Sequence, residues 1–170
     1  MIQKKICMVG VFGTGKTCLV QQYVHSIFSV KYLSTVGVKI DRKQVKVGDE
    51  DVTLMLWDLE GRDAAKDVNS SYLRGAHGVI YVADGTRRET VDQLADLRKL
   101  VSDAVGEIPA VVALNKVDLK DEWKLSSSDE AAAGGSGVHR LRTSAKTGEG
   151  VEAAFQWLAE KTLSKPGSST

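Results

Sequence analysis

The chain has 170 residues, 42% hydrophobic and 26% charged, which suits one compact domain with room for a sizeable core. Its formal net charge of +1 argues against a nucleic-acid binder driven by bulk charge, and no apolar run approaches the ~20 residues that span a bilayer. Met1 to Lys5 leads straight into a strand-like segment, so no signal peptide is expected; the only cysteines, Cys7 and Cys18, suggest no disulfide framework and fit a reducing, cytoplasmic setting.

In chain order, Ile6 to Val9 reads as a buried strand ending at Gly10. After a glycine-rich loop, Val20, Tyr23, Val24 and Ile27 recur at helical spacing. Phe28 to Val36 reads as loop. Val38 and Ile40 alternate with polar residues, Val45 and Val47 continue the alternation, and Gly48-Asp49 marks a hairpin turn. Val52, Leu54 and Leu56 alternate in the return strand, which ends at Asp58. Leu59 to Arg74 reads as loop plus a short helix. Val79 to Ala83 is a continuous apolar strand. Leu94, Leu97 and Val101 mark a long helix, and the Arg87-Arg88-Glu89 run before it reads as a solvated helix start. Ala110 to Leu114 is a further buried strand, ending at Asn115. Ser126 to Gly137 carries a short helix, Val138 to Leu141 a last strand, and Val151, Ala154, Phe155, Leu158 and Ala159 an amphipathic final helix. One domain over 1–163 and a polar tail over 164–170 are expected.

Buried strands alternating with helices imply an α/β doubly wound, mostly parallel sheet: about six strands, one antiparallel edge, about five flanking helices. Ligands of such sheets bind beyond the carboxyl ends of the strands. Gly10, Asp58, Asn115 and Thr143 stand at four of those ends, each opening a candidate motif.

Gly10-Val11-Phe12-Gly13-Thr14-Gly15-Lys16-Thr17 fits G-x-x-x-x-G-K-S/T, the P-loop of NTPases. Glycines let the backbone curl so that successive N–H groups point inward, and the following helix adds its positive N-terminus. Gly13, Thr14, Gly15, Lys16, Thr17 and Cys18 form the candidate phosphate cradle. Lys16 can reach the β- and γ-phosphates, and the Thr17 hydroxyl can ligate Mg²⁺. Chance produces this pattern roughly once in 30,000 windows at ordinary residue usage, so a bare glycine turn is a poor alternative.

Asn115-Lys116-Val117-Asp118 supplies a base pocket. A carboxylate accepts only, and its two oxygens match the adjacent N1–H and N2–H₂ donors of guanine; adenine would set a lone pair against it. Asn115 can bond the Hoogsteen edge and tie loops together, and the stem of Lys116 can cover a face of the base. N-K-x-D alone is a weak pattern, compatible with a solvated turn. Thr143-Ser144-Ala145-Lys146-Thr147-Gly148 strengthens it, because small residues there let a backbone N–H reach guanine O6. On the metal side, Asp58 can hold Mg²⁺ through a water, Gly61 can offer its N–H to the γ-phosphate, and Thr35 can add a second hydroxyl.

With these motifs in order along nearly its whole length, the chain resembles a Ras-superfamily small GTPase, Rab-like in Ser34-Thr35-Val36-Gly37-Val38 and in the Thr143 to Gly150 segment. The resemblance implies a guanine-nucleotide switch that binds GTP or GDP with Mg²⁺ and hydrolyses GTP to GDP and phosphate. Lys16, Thr35, Gly61 and the position of Arg62 would serve catalysis, and Thr17, Thr35 and Asp58 the metal. It also implies Phe28 edge-on against guanine, Tyr32 closing over the phosphates, and Ser144, Ala145 and Lys146 at the base. Two switch loops, 28–37 and 59–72, would meet effector and regulatory proteins, and a monomer is expected.

Two positions depart from the family. Where it carries the glutamine that orients the attacking water, this chain has Arg62, which has donors only. Three readings stand: intrinsic hydrolysis is very slow; Glu60 or Asp63 positions the water; or Arg62 neutralises the γ-phosphate in cis. Phe12 replaces a small loop residue, and its ring either excludes water and partners from the γ-phosphate or turns outward. A non-hydrolysing, guanine-nucleotide-dependent binding module is the alternative function; Asp118 disfavours an ATPase or kinase. No cysteine follows the last helix, so no lipid anchor is expected; a prokaryotic protein or a trimmed chain would account for that. His25, His77 and His139 lack metal-ligand spacing, and Trp123 and Trp157 read as packing residues.

Overall fold

The computed structural model describes residues 2–28, 37–62 and 68–163. Tyr32, Thr35, Asp63, most of the first switch loop and the polar tail lie outside the described residues.

Six strands form one sheet in the order β2-β3-β1-β4-β5-β6. They are β1 (Ile2–Val9), β2 (Val38–Val47), β3 (Glu50–Leu59), β4 (Gly78–Asp84), β5 (Ala110–Asn115) and β6 (His139–Arg142). Only the β2–β3 pair is antiparallel, with Val47 opposite Glu50 across the two-residue turn at Gly48 and Asp49. The chain leaves β1 towards β3 on one side and returns on the other through β4, so the strand order reverses at β1, and the phosphate loop opens directly from its end.

Five α-helices occur among the described residues: α1 (Lys16–His25), α2 (Arg88–Asp92), α3 (Leu94–Val105), α4 (Ser127–Ala132) and α5 (Val151–Leu163). Leu19, Val20 and Tyr23 of α1 and Ala154, Phe155 and Leu158 of α5 pack with Ile6, Met8, Leu54, Leu56 and Ile80 on one face of the sheet. Tyr23 stacks on Phe155 with ring centroids 4.0 Å apart. On the other face, Leu94, Leu97 and Val101 of α3 cover Cys7, Val9, Val79, Tyr81 and Ala83. Each such large side chain contributes about 1.5–3 kcal/mol through burial. All seven residues of β4 are buried, as its unbroken apolar run predicts for a strand covered on both faces.

Two local readings are corrected. Ile27 does not continue the stripe of α1. Ser26 turns left-handed at φ 54°, its N–H bonds to Gln22 O, and Ile27 lies outside the helix, 55% exposed. In β2 the apolar residues change phase: Val38 packs with the α3 face, whereas Val45 and Val47 pack with the α1 and α5 face. Even and odd positions point to opposite faces, so one unbroken ladder places these valines on both. No described helix is long and apolar enough to cross a membrane.

Candidate nucleotide-binding site

Three loops and one strand end meet beyond the carboxyl edge of the sheet. The loop from Gly10 to Gly15 leaves β1 and becomes α1 at Lys16. Gly13 and Gly15 both have positive φ, 80° and 102°, which a side chain would strain. At Gly15 a Cβ would also collide with Asn115 Nδ2. The glycine therefore serves the turn and the close approach of the base loop together.

Lys16 lies in this loop only 6% exposed, with Nζ donating to Val11 O at 3.2 Å. Burial pushes its pKa down to about 8, and the nearby Asp58 pulls it partly back. Thr17 Oγ1 donates to Asp58 Oδ2 at 2.6 Å, joining the start of α1 to the end of β3. Two hard oxygen donors at this spacing, one of them a carboxylate only 1% exposed, suit the oxygen preference of Mg²⁺.

The base loop follows β5. Asn115 is 1% exposed; its Nδ2 donates to Thr14 O at 3.0 Å and its Oδ1 accepts from Thr143 Oγ1 at 3.1 Å. One side chain thus ties the phosphate loop, the base loop and the loop after β6, as the sequence suggests. Lys116 adopts φ 73°, and its Nζ donates to Gly13 O at 3.1 Å. Ser144, fully buried, donates to Asp118 Oδ1 at 2.8 Å and accepts from Thr147 N at 3.0 Å, which fixes the plane of the carboxylate. Gln22 on α1 donates to Ala145 O at 2.7 Å and to Lys146 O at 3.4 Å, linking α1 to the same loop.

The segment after β3 runs back across the phosphate loop. Arg62 O accepts from Phe12 N at 2.9 Å, and a Cβ on Gly61 would lie 2.7 Å from Lys16 Nζ. The Arg62 guanidinium pairs with Glu60 at 2.8 Å, with 49% of its side chain exposed. Phe12 is 43% exposed. Phe28 is 40% exposed at the end of its described segment.

Sequence reasoning missed three contributors. Gln22 gave no signal on its helix. Arg87 belongs to an exposed helix start, as read, but also donates from Nη1 to Phe12 O at 3.0 Å while Nε bonds Glu89. Asp84, at the carboxyl end of β4, pairs with Lys116 at 2.8 Å. An acid closing a wholly buried strand at the ligand edge was a legible signal. The described histidines form no metal-binding group. His77 Nδ1 accepts from Lys5 N, and His139 stacks on Trp157.

The glycine loop, the lysine seated in it and the doubly wound sheet define a P-loop nucleotide-binding domain. A sequence model described as the Ras family matches residues 5–164. The chain is 34% identical over 160 residues to the Ras-related protein Rab-1 of Theileria parva, covering 92% of this chain and 72% of that one. It is 37% identical over 166 residues to human Ras-related protein Rab-4B, covering 95% and 76%. To Ras-related protein Rab-10 of Caenorhabditis elegans it is 31% identical over 168 residues, covering 98% and 84%. The chain therefore belongs to the Ras family, on the Rab-like side of the small GTPases, whose members are GTP-binding switches with GTPase activity.

Proposed function

We propose that this chain holds GTP or GDP with Mg²⁺ across the edge of β1, β3 and β5 and hydrolyses GTP slowly. The observation that carries the reading is the Thr17–Asp58 contact at 2.6 Å on one side of Lys16, with the Ser144-fixed carboxylate of Asp118 at the other end of the cleft. Asp118 reads the N1–H and N2–H₂ of guanine, with Ala145 and Lys146 of the loop after β6 lending backbone to O6. Gly13, Thr14, Gly15, Lys16, Thr17 and Cys18 surround the phosphates, Phe28 borders the base, and Tyr32 closes over the nucleotide. Thr17, Asp58 and Thr35 hold the metal, which when bound neutralises phosphate charge. Lys16 balances the charge that develops on the γ-phosphoryl group, and the Gly61 N–H faces its oxygens. Water attacks in line, giving GDP and phosphate.

Arg62 underlies the slow step. It has no acceptor for the water's proton, and its guanidinium is engaged by Glu60. That pairing favours slow intrinsic hydrolysis over neutralisation of the γ-phosphate by Arg62. It also supports a second reading, in which the chain does not hydrolyse at all and acts as a nucleotide-dependent binding module. In both, loops 28–37 and 59–72 meet effector and regulatory proteins, and the chain works as a cytoplasmic monomer.

Two measurements test this. GDP should displace a fluorescent guanine nucleotide at micromolar concentration or below, while ATP should not; equal competition by ATP would remove the guanine assignment. Single-turnover phosphate release from bound GTP separates slow hydrolysis from none.

A further inference from the structure

Asp84 closes β4 at the ligand edge, directly opposite Asn115 in the β4–β5 ladder. It is fully buried. Its Oδ1 accepts from Thr86 N at 2.9 Å and Thr86 Oγ1 at 2.6 Å, a local turn that any Asp at a loop start can make. That turn leaves Oδ2 unexplained. Oδ2 meets the Lys116 ammonium at 2.8 Å.

Lys116 arrives there because its left-handed backbone, φ 73°, swings the side chain back over the sheet edge. The ammonium then donates to Gly13 O at 3.1 Å, while its contact with Asp84 Oδ2 at 2.8 Å is an ion pair rather than an aligned hydrogen bond. Asp84 itself is rigidly held. Its N–H donates to Thr90 Oγ1 at 2.8 Å, and the same hydroxyl donates to Arg87 O at 2.7 Å. Gly85 N donates to Asn115 O at 3.0 Å, fastening the two strand ends side by side. A fixed buried anion thus sets the position of a flexible four-carbon cation that bridges the base loop and the phosphate loop.

From these contacts we infer that Asp84 is a positioning residue for nucleotide retention: it fixes Lys116 across the base loop and the Gly13 carbonyl, and so sets how slowly the guanine nucleotide leaves. The inference rests on the guanine-nucleotide reading above. Asp84 touches neither base nor phosphate in this role. It acts through Lys116, whereas Asp118 alone reads the 2-amino group.

The test is release of a fluorescent GDP, chased with excess GDP, from the wild type, Asp84→Asn, Lys116→Met, the double variant and Thr86→Val. Release should rise on the order of tenfold or more in Asp84→Asn. The double variant should be no faster than Lys116→Met, because the two act as one unit. Thr86→Val, which disturbs the Oδ1 side only, should stay within about twofold of the wild type. The ratio of GDP to IDP affinity should be unchanged in Asp84→Asn, since Asp118 still reads the 2-amino group. Unchanged release in Asp84→Asn, additive effects in the double variant, or a collapsed GDP-to-IDP ratio would each overturn the positioning role. A wild type that binds no fluorescent GDP would instead overturn the underlying reading, and this role with it. Should Asp84→Asn fail to fold, the wild type decides alone by ¹⁵N NMR of its lysine side chains. A Lys116 ammonium protected from solvent exchange supports the pair, and one exchanging like a surface lysine overturns it.

Discussion

The two ends of the site are built differently. At the base end, Asn115, Ser144 and Asp84 are buried at 1% exposure or less; Asn115 and Ser144 hydrogen-bond across to other loops and Asp84 ion-pairs with Lys116. At the γ-phosphate end, Phe12 is 43% exposed and the Glu60–Arg62 pair has side chains 30% and 49% exposed. A buried polar group that loses its partner costs about 1–3 kcal/mol, whereas an exposed ion pair contributes about 0–1 kcal/mol. Recognition is thus wired into the framework of the sheet. At the hydrolytic end Lys16 and the Thr17–Asp58 contact are equally part of the framework, and only Phe12 and the Glu60–Arg62 pair are exposed side chains that can change without unfolding the domain.

The sharpest way to break this contrast is Asp118→Ala. Removing the carboxylate proposed to meet two guanine donors should weaken GDP on the order of 100-fold, read by fluorescence titration. A loss under threefold would mean the base is held elsewhere. Thr143→Val removes one of the two bonds that hold Asn115. It should lower stability by about 1 kcal/mol in denaturant melts and speed GDP release several-fold. At the other end, Glu60→Ala should change stability by no more than about 0.5 kcal/mol, and GDP release should match the wild type. A large destabilisation there would show that the γ-phosphate end is structural after all.

The smallest effect concerns pH. Burial pushes the Cys7 thiol up to about 11 from its ordinary 9.0, with Lys5 opposing. The unfolded thiol ionises from about pH 9 while the native one keeps its proton. This contribution to stability is therefore complete below pH 9 and is lost as pH rises towards 11. Wild-type stability should fall more steeply than that of Cys7→Ala across this window. Parallel curves would deny Cys7 a role.

The architecture was legible because β4 and β5 are unbroken apolar runs and α5 keeps its stripe. Chemistry at strand ends was legible for the same reason. Asp84 escaped notice because it carries no named motif, although it obeys the same strand-end rule as Asn115. The phase change in β2 was legible in the odd-even numbering of Val38 and Val45, but the polar run Asp41 to Gln44 between them hid the break. Arg87 could not be placed from local pattern, because its partner Phe12 is distant in sequence and supplies only a backbone carbonyl. Arg62 and Phe12 were visible as departures. Their surroundings, the Glu60 pair and the exposed ring, came only from three dimensions.

The central claim is that the recognition end is intact while the hydrolytic end is altered. Its most direct test is single-turnover phosphate release from GTP-loaded wild type and Arg62→Gln, with GDP affinity measured on the same preparations. Slow release in the wild type, on the order of tenfold faster in Arg62→Gln, at equal GDP affinity in both, is the result expected when water positioning limits the rate. Fast release by the wild type, or a GDP affinity that changes along with the rate, would contradict it.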